Sequence, residues 1–177
     1  MSVVWLVAAW FGLLEPQLAR APYVPSPPDV VDRMLALAEV GPADVVYDLG
    51  CGDGRIVIQA AQRFGARGVG VDIDPVRIAE AKSNATRAGV EHLVSFRLED
   101  AAETELAEAT VVTLYLLTAQ NIQLRPRLTS GLRSGARIVS HDFAMGDWTP
   151  DAVDTFVSAD GRPRTLYLWK VEAGDRP

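Results

Sequence analysis

The 177-residue sequence predicts an α/β fold, a doubly wound, mostly parallel seven-stranded sheet with an antiparallel strand from a terminal hairpin. Three observations predict it. Short β-branched runs alternate with segments of helical period through most of the chain. A glycine-rich turn directly follows the first such run. The last two runs are joined through Asp160-Gly161, a strong hairpin signal.

Taken in order, the elements begin with an apolar segment, residues 1–21, that stands apart from a domain spanning 22–177. Val3 to Leu14 is nearly all apolar, and Ala19-Arg20-Ala21 resembles a small-x-small cleavage site. The run falls short of the roughly 20 apolar residues a membrane-spanning helix needs. It also lacks a positive leading region. A degenerate signal peptide, a membrane-surface helix through residues 3–14 and a helix folded onto the domain all remain open. Pro22 to Pro28 follows as a stiff, extended connector. Ser26 is placed to cap a helix opened by Pro27 and Pro28, with Asp29 in the capping-box position. Val30, Val31, Met34, Leu35 and Ala38 share its apolar face, and Gly41-Pro42 is expected to end it.

Beyond this helix, strands are expected at Val45–Leu49, Gly68–Asp72, Leu93–Leu98, Thr110–Leu116 and Arg137–Ser140. Arg55–Phe64 and Ala119–Leu128 read as helices. Another opens at Asp74-Pro75, a capping residue and a first-turn proline, and runs to Gly89. Asp151–Ala159 and Arg164–Val171 form the terminal hairpin.

Composition narrows the function classes. Apolar residues make up 49% and charged residues 23%, enough for one core. The net charge of −6 argues against nucleic acid as a partner and suits a cationic substrate. One cysteine, Cys51, and two histidines, His92 and His141, leave no Cys-rich or zinc site.

The chemistry gathers at strand ends. Asp48-Leu49-Gly50-Cys51-Gly52-Asp53-Gly54-Arg55 lies between strand and helix, where open α/β sheets bind ligands. A tight turn with no ligand would use the same glycines. Dinucleotide folds place a pyrophosphate on G-x-G-x-x-G. Here the spacing is G-x-G-x-G after an acid, which repels pyrophosphate and suits the ammonium of S-adenosylmethionine (SAM). Asp72, beside Ile73 at the second strand end, can accept from both ribose hydroxyls. Asp74 there also reads as a plain helix cap. Asp100, beside Ala101 at the third strand end, is within reach of an adenine amino group; a solvated loop acid is the alternative. Glycines and three acids at successive strand ends assign SAM as the cofactor, without a metal.

These motifs resemble the seven-strand (class I) SAM-dependent methyltransferases over roughly residues 26–171. Tyr23-Val24-Pro25-Ser26-Pro27, Val46 to Arg55, Ala109 to Leu117 and Val139-Ser140-His141-Asp142-Phe143 are similar to the small archaeal broad-specificity protein-lysine methyltransferases. That group resembles the mitochondrial lysine methyltransferases of the ATP synthase c subunit and the adenine nucleotide translocase. The resemblance implies that the segment before the domain closes over the cofactor, with Tyr23 and Ser26 at its methionine end; Ser26 stands where threonine is usual. Asp48, Gly50, Cys51, Gly52, Asp72, Ile73, Asp100 and Ala101 complete the cofactor set. Thr113-Leu114-Tyr115-Leu116 replaces the Asn/Asp-Pro-Pro-aromatic motif of DNA and glutamine methylating enzymes. Tyr115 resembles the aromatic wall of a lysine channel, though a tyrosine filling the core rim would look the same. His141, Asp142, Phe143 and Trp148 lie on the loop after the fifth strand, as acceptor-site candidates that packing or capping also explains.

The implied reaction is transfer of a methyl group to a protein lysine, leaving S-adenosylhomocysteine, in the cytoplasm where SAM is made. A lysine must lose its proton first, and apolar aromatic walls favour that by desolvation. A small-molecule or RNA methyltransferase and a non-catalytic SAM- or nucleotide-binding module are the alternatives. The oligomeric state is not legible in the sequence.

Overall fold

The structure is a computed structural model that describes residues 23–172. The expectations for residues 1–21 lie outside the described residues. Among the described residues, no helix is long and apolar enough to cross a membrane.

Seven strands form one sheet: β1 (Val45–Leu49), β2 (Arg67–Asp72), β3 (Val94–Leu98), β4 (Val111–Leu114), β5 (Arg137–His141), β6 (Ala152–Val157) and β7 (Pro163–Lys170). Their order is β3-β2-β1-β4-β5-β7-β6. The first five strands pair in parallel, while β7 runs antiparallel to both β5 and β6. The chain reverses direction across the sheet between β1 and β4, and a crevice opens at that switch point.

The pleat divides the core. Val46 and Val111 face one layer, with α1 (Pro28–Leu37), α2 (Arg55–Phe64) and α3 (Pro75–Ala88) over them. Val45, Tyr47, Leu49, Val112 and Leu114 face the other, covered by Leu124 and Leu128 of α4 (Thr118–Gly131). Alternation along a strand dictates this division, because successive side chains leave opposite faces. Val30, Val31, Met34, Leu35 and Ala38 are fully buried on one side of α1 and its cap. Each larger one stabilises the layer by about 1.5–3 kcal/mol.

Several boundaries differ from those expected. Pro27, not Ser26, is the N-cap of α1, with no side-chain cap. The Asp29 carboxylate instead accepts from Ser158 Oγ at 2.9 Å and from the amide of Ala159 at 2.7 Å, tying α1 to the terminal hairpin. The helix stops at Leu37, where the chain turns through Glu39 with φ of 51°, before Gly41 is reached. β4 ends at Leu114, so Tyr115 and Leu116 lie beyond the strand at the carboxyl edge. α4 continues through Pro126 to Gly131; Thr129 and Ser130 hydroxyls donate to the Pro126 carbonyl at 3.1 and 2.7 Å.

Candidate functional site

The crevice at the switch point is a cavity of about 470 Å³, within the range of small-molecule and cofactor sites. The β1–α2 turn forms its floor. The amides of Gly50 and Cys51 both donate to the Val71 carbonyl at 2.9 Å, which pins the turn against the end of β2. Gly52 adopts φ of +51°, and a Cβ there would stand 2.3 Å from Cε2 of Tyr23. Only glycine permits both that backbone and the ring lying against it.

Asp72 braces the same turn from the next strand. Its Oδ2 accepts from the amide of Gly52 and its Oδ1 from that of Asp74, each at 2.9 Å. Each carboxylate oxygen keeps a second acceptor site, which is what a vicinal pair of ribose hydroxyls requires. Asp74 caps α3 through the amide of Val76 at 2.8 Å and also lines the cavity. Asp100 accepts from the amide of Ala102 at 2.9 Å, and Ala101 lines the cavity beside it.

Asp48 is the deepest acid, 3% exposed, and accepts from Thr113 Oγ1 at 2.8 Å. Burial pushes its carboxyl up to about 7, assisted by the nearby charges of Asp72 and Asp53 and opposed by the Thr113 bond. A buried carboxyl of this kind is held ionised by a cation beside it. In the same lining, burial pushes Asp53 upward, but the Arg55 guanidinium outweighs that and holds it below the ordinary range. Cys51 is buried, and burial pushes its thiol up, so it stays neutral and serves as wall.

A strap, residues 23–26, crosses one side. Arg77 lies over the Tyr23 ring at 4.5 Å, and Arg55 donates to the Ser26 carbonyl at 2.9 Å. The Ser26 hydroxyl is 2.9 Å from Nδ1 of His141. Opposite, the Tyr115 ring stacks on His141 at 3.9 Å and 23° and meets Phe143 at 6.0 Å and 34°.

All ten cofactor candidates (Tyr23, Ser26, Asp48, Gly50, Cys51, Gly52, Asp72, Ile73, Asp100 and Ala101) line this cavity, as does Tyr115. His141, Asp142, Phe143 and Trp148 do not. His141 is fully buried behind Tyr115. Asp142, at φ of 60°, receives the amide of Thr165 at 2.9 Å and Arg164 at 3.2 Å, anchoring the loop to β7. The Phe143 carbonyl accepts from Ser140 at 2.6 Å and Asn121 at 3.0 Å. Trp148 packs against Trp169 at 5.9 Å and takes its indole N–H on a backbone carbonyl at 3.0 Å.

Sequence reasoning missed Arg77, Glu99, Leu116, Gln120 and Gln123 in the lining. Gln120 and Gln123 carried a usable signal: they stand one turn apart on the helix after β4, hence on one face. The charged lining comprises Asp48, Asp53, Asp72, Asp74, Glu99 and Asp100 against Arg55 and Arg77. Such a site suits a cationic ligand with hydroxyls to bind and opposes a pyrophosphate.

Comparison with known proteins agrees with this geometry. A protein-lysine N-methyltransferase of Saccharolobus islandicus is 45% identical over 153 residues, covering 86% of this chain and 94% of that one. An adenine nucleotide translocase lysine N-methyltransferase of Mus musculus is 34% identical over 151 residues, 81% of this chain and 65% of the mouse protein. The crystal structure of an RNA methyltransferase from Salinibacter ruber, in complex with S-adenosyl-L-homocysteine, superimposes with a TM-score of 0.79 at 53% identity. It covers 85% of this chain and 95% of its own. Residues 48–152 match the ANTKMT methyltransferase domain, and the chain belongs to that family.

Proposed function

We propose that the protein is a SAM-dependent methyltransferase whose acceptor is the side-chain amine of lysine on another protein. The observation that carries this reading is the make-up of one cavity: acids at the ends of β1, β2 and β3 that suit SAM, facing an aromatic wall, Tyr115, that suits the stem and neutral amine of a lysine. The likeness to a protein-lysine N-methyltransferase over most of the chain supports it. A cytoplasmic location accompanies the reading, since SAM is made there.

The residues fit SAM. Asp48 suits its ammonium, Asp72 its ribose hydroxyls and Asp100 its adenine amino group. Gly52 gives the backbone clearance for a close approach. When bound, SAM supplies an activated methyl group on a sulfonium. The protein's task is to hold an amine in line with it, which is positioning catalysis. Tyr115, fixed by its stack on His141, offers a rigid flat wall for the lysine stem. An aromatic wall excludes water and favours the neutral amine, since desolvation lowers a lysine's pKa. His141 is not the base in this reading. Burial pushes it down to about 4, against the pull of Asp142, and no part of it lines the cavity.

The Salinibacter ruber neighbour is named for RNA, so RNA is the competing acceptor. An anionic backbone would approach a chain of net charge −6 and this acidic edge against electrostatic repulsion. The deciding experiment incubates the purified enzyme with methyl-labelled SAM and separate protein and RNA fractions of a lysate. Label on lysine side chains, mapped by mass spectrometry, is the expected result. Label confined to RNA overturns the reading.

A further inference from the structure

We propose that His141 is a positioning residue that couples the cofactor strap to the acceptor wall, holding Ser26 on one ring edge and Tyr115 on one ring face. The inference rests on the methyltransferase reading, but its first test needs only cofactor binding.

Three observations support it. His141 is the last residue of β5, fully buried, and contributes nothing to the cavity surface, so it acts only through its neighbours. Both of those neighbours line the cavity, one on the strap and one beyond β4. Ser26 and His141 are 115 residues apart, so no local preference brings them together.

The chemistry of the ring points the same way. Among the described residues Nε2 has no hydrogen-bond partner, and it stands 3.3 Å from Asp142 Oδ2. A buried, unsatisfied polar atom is costly, and a phenylalanine would stack on Tyr115 without that cost. What an imidazole adds over a phenyl ring is the bond to Ser26 and the 3.3 Å contact with the Asp142 carboxylate, and of these only the first reaches the cavity lining. That bond anchors the strap at its domain end, alongside the Arg55 bond to the Ser26 carbonyl, while Tyr23 lies on Gly52 and under Arg77 at the other end. A strap displaced from the cavity breaks the Ser26 bond and frees the ring that fixes Tyr115. Strap position and wall alignment are therefore linked through one ring.

A double-mutant cycle on cofactor affinity tests this. His141→Phe keeps a stacking ring and removes the Ser26 partner; Ser26→Ala removes the same bond from the other side. Each should weaken binding of S-adenosylhomocysteine about fivefold by calorimetry, the worth of one net hydrogen bond. The double variant should be no weaker than either, because both changes delete one interaction. Ser26→Thr, which keeps the hydroxyl, should recover most of the affinity that Ser26→Ala loses. Effects that multiply to about 25-fold, or unchanged affinity in His141→Phe, overturn the proposal.

A second measurement stands without any His141 variant. With S-adenosylhomocysteine saturating, the ring-proton resonances of Tyr115, which respond to the ligand in every variant, should coincide in wild type and Ser26→Thr and take a different position in Ser26→Ala. Coincident bound-state resonances in Ser26→Ala overturn the coupling. Loss of acceptor methylation alone, with the cycle and resonances as expected, would count against the lysine reading and leave this inference standing.

Discussion

The two halves of the carboxyl edge are built on different principles. Around β1, β2 and β3 the site consists of carboxylates and backbone amides from neighbouring turns. Asp72 braces Gly52 across 20 residues and Asp74 across two; Asp100 holds Ala102 across two. Around β4 and β5 it consists of rings and a buried polar bond. Tyr115 stacks on His141, which in turn meets Ser26 from the far end of the chain. In the proposed function the first half recognises by charge and hydrogen bonding, the second by shape and exclusion of water. A substitution in the first half should therefore appear in cofactor affinity and one at Tyr115 in turnover, while Ser26 and His141, which join the strap to the wall, should appear in affinity.

The largest effect should come from Asp48→Asn. Loss of the carboxylate proposed to face the cofactor ammonium should weaken SAM binding by about 10²-fold, as charge-assisted bonds of about 1.5–3 kcal/mol imply. Stability should move the other way. The native carboxyl is raised from its ordinary 3.8 to about 7, so its contribution to stability is full below about pH 4 and lost as pH rises through 7. The unliganded variant should melt higher than wild type at pH 8 and nearly the same at pH 4, by scanning calorimetry. Wild-type SAM affinity should also fall as pH drops below about 7, where Asp48 takes a proton, and the variant should lose that dependence. A pH-independent wild type would remove Asp48 from the ammonium site.

Tyr115→Ala should be next, and in the other observable. Turnover on a lysine-rich protein should fall about 10²-fold through misalignment, with SAM affinity changed only a few-fold. Water admitted beside the amine restores its pKa near 10.4, so the variant's rate should recover partly at pH 9–10. Tyr115→Phe, which keeps the stacking ring, should be mild. A large loss of cofactor affinity with unchanged turnover would erase the division between the two halves.

Asp72→Ala should give the smallest of the three effects. It removes the acceptors for Gly52 and Asp74 together with those proposed for the ribose, and SAM should bind about tenfold more weakly. Titration calorimetry reads this directly, and unchanged affinity would place the ribose elsewhere.

The comparison also shows why one half was easier to read in the sequence. The cofactor candidates at the ends of β1, β2 and β3 line the cavity because strand ends, glycine turns and the acids beside them are local signals, whereas Tyr23 and Ser26, which line it too, were implied by the family resemblance. Tyr115 lines it too, although β4 ends one residue before it, at Leu114. The loop after β5 was the harder case. His141, Asp142, Phe143 and Trp148 were grouped by adjacency alone, and each has a different partner: Ser26, Arg164, Asn121 and Trp169. Ser26 and Asp29 met every local rule for a cap and a capping box. Their side chains went instead to His141 and to Ser158, at separations of 115 and 129 residues.

By itself the sequence determined the element order, the parallel sheet with its antiparallel strand, and the acids at the ends of β1, β2 and β3. Each of those depends on residues a few positions apart: period, turn chemistry and strand-end spacing. Only the tertiary structure decided that the strap lies on Gly52, that Thr113 meets Asp48, and that His141 stands behind Tyr115 rather than in the cavity. Those contacts join segments the chain separates by tens of residues, and such a segment alone cannot encode which partner the fold will bring to it. A hydroxyl or an imidazole can bond wherever burial leaves it a neighbour, so its role is set by the sheet that assembles around it.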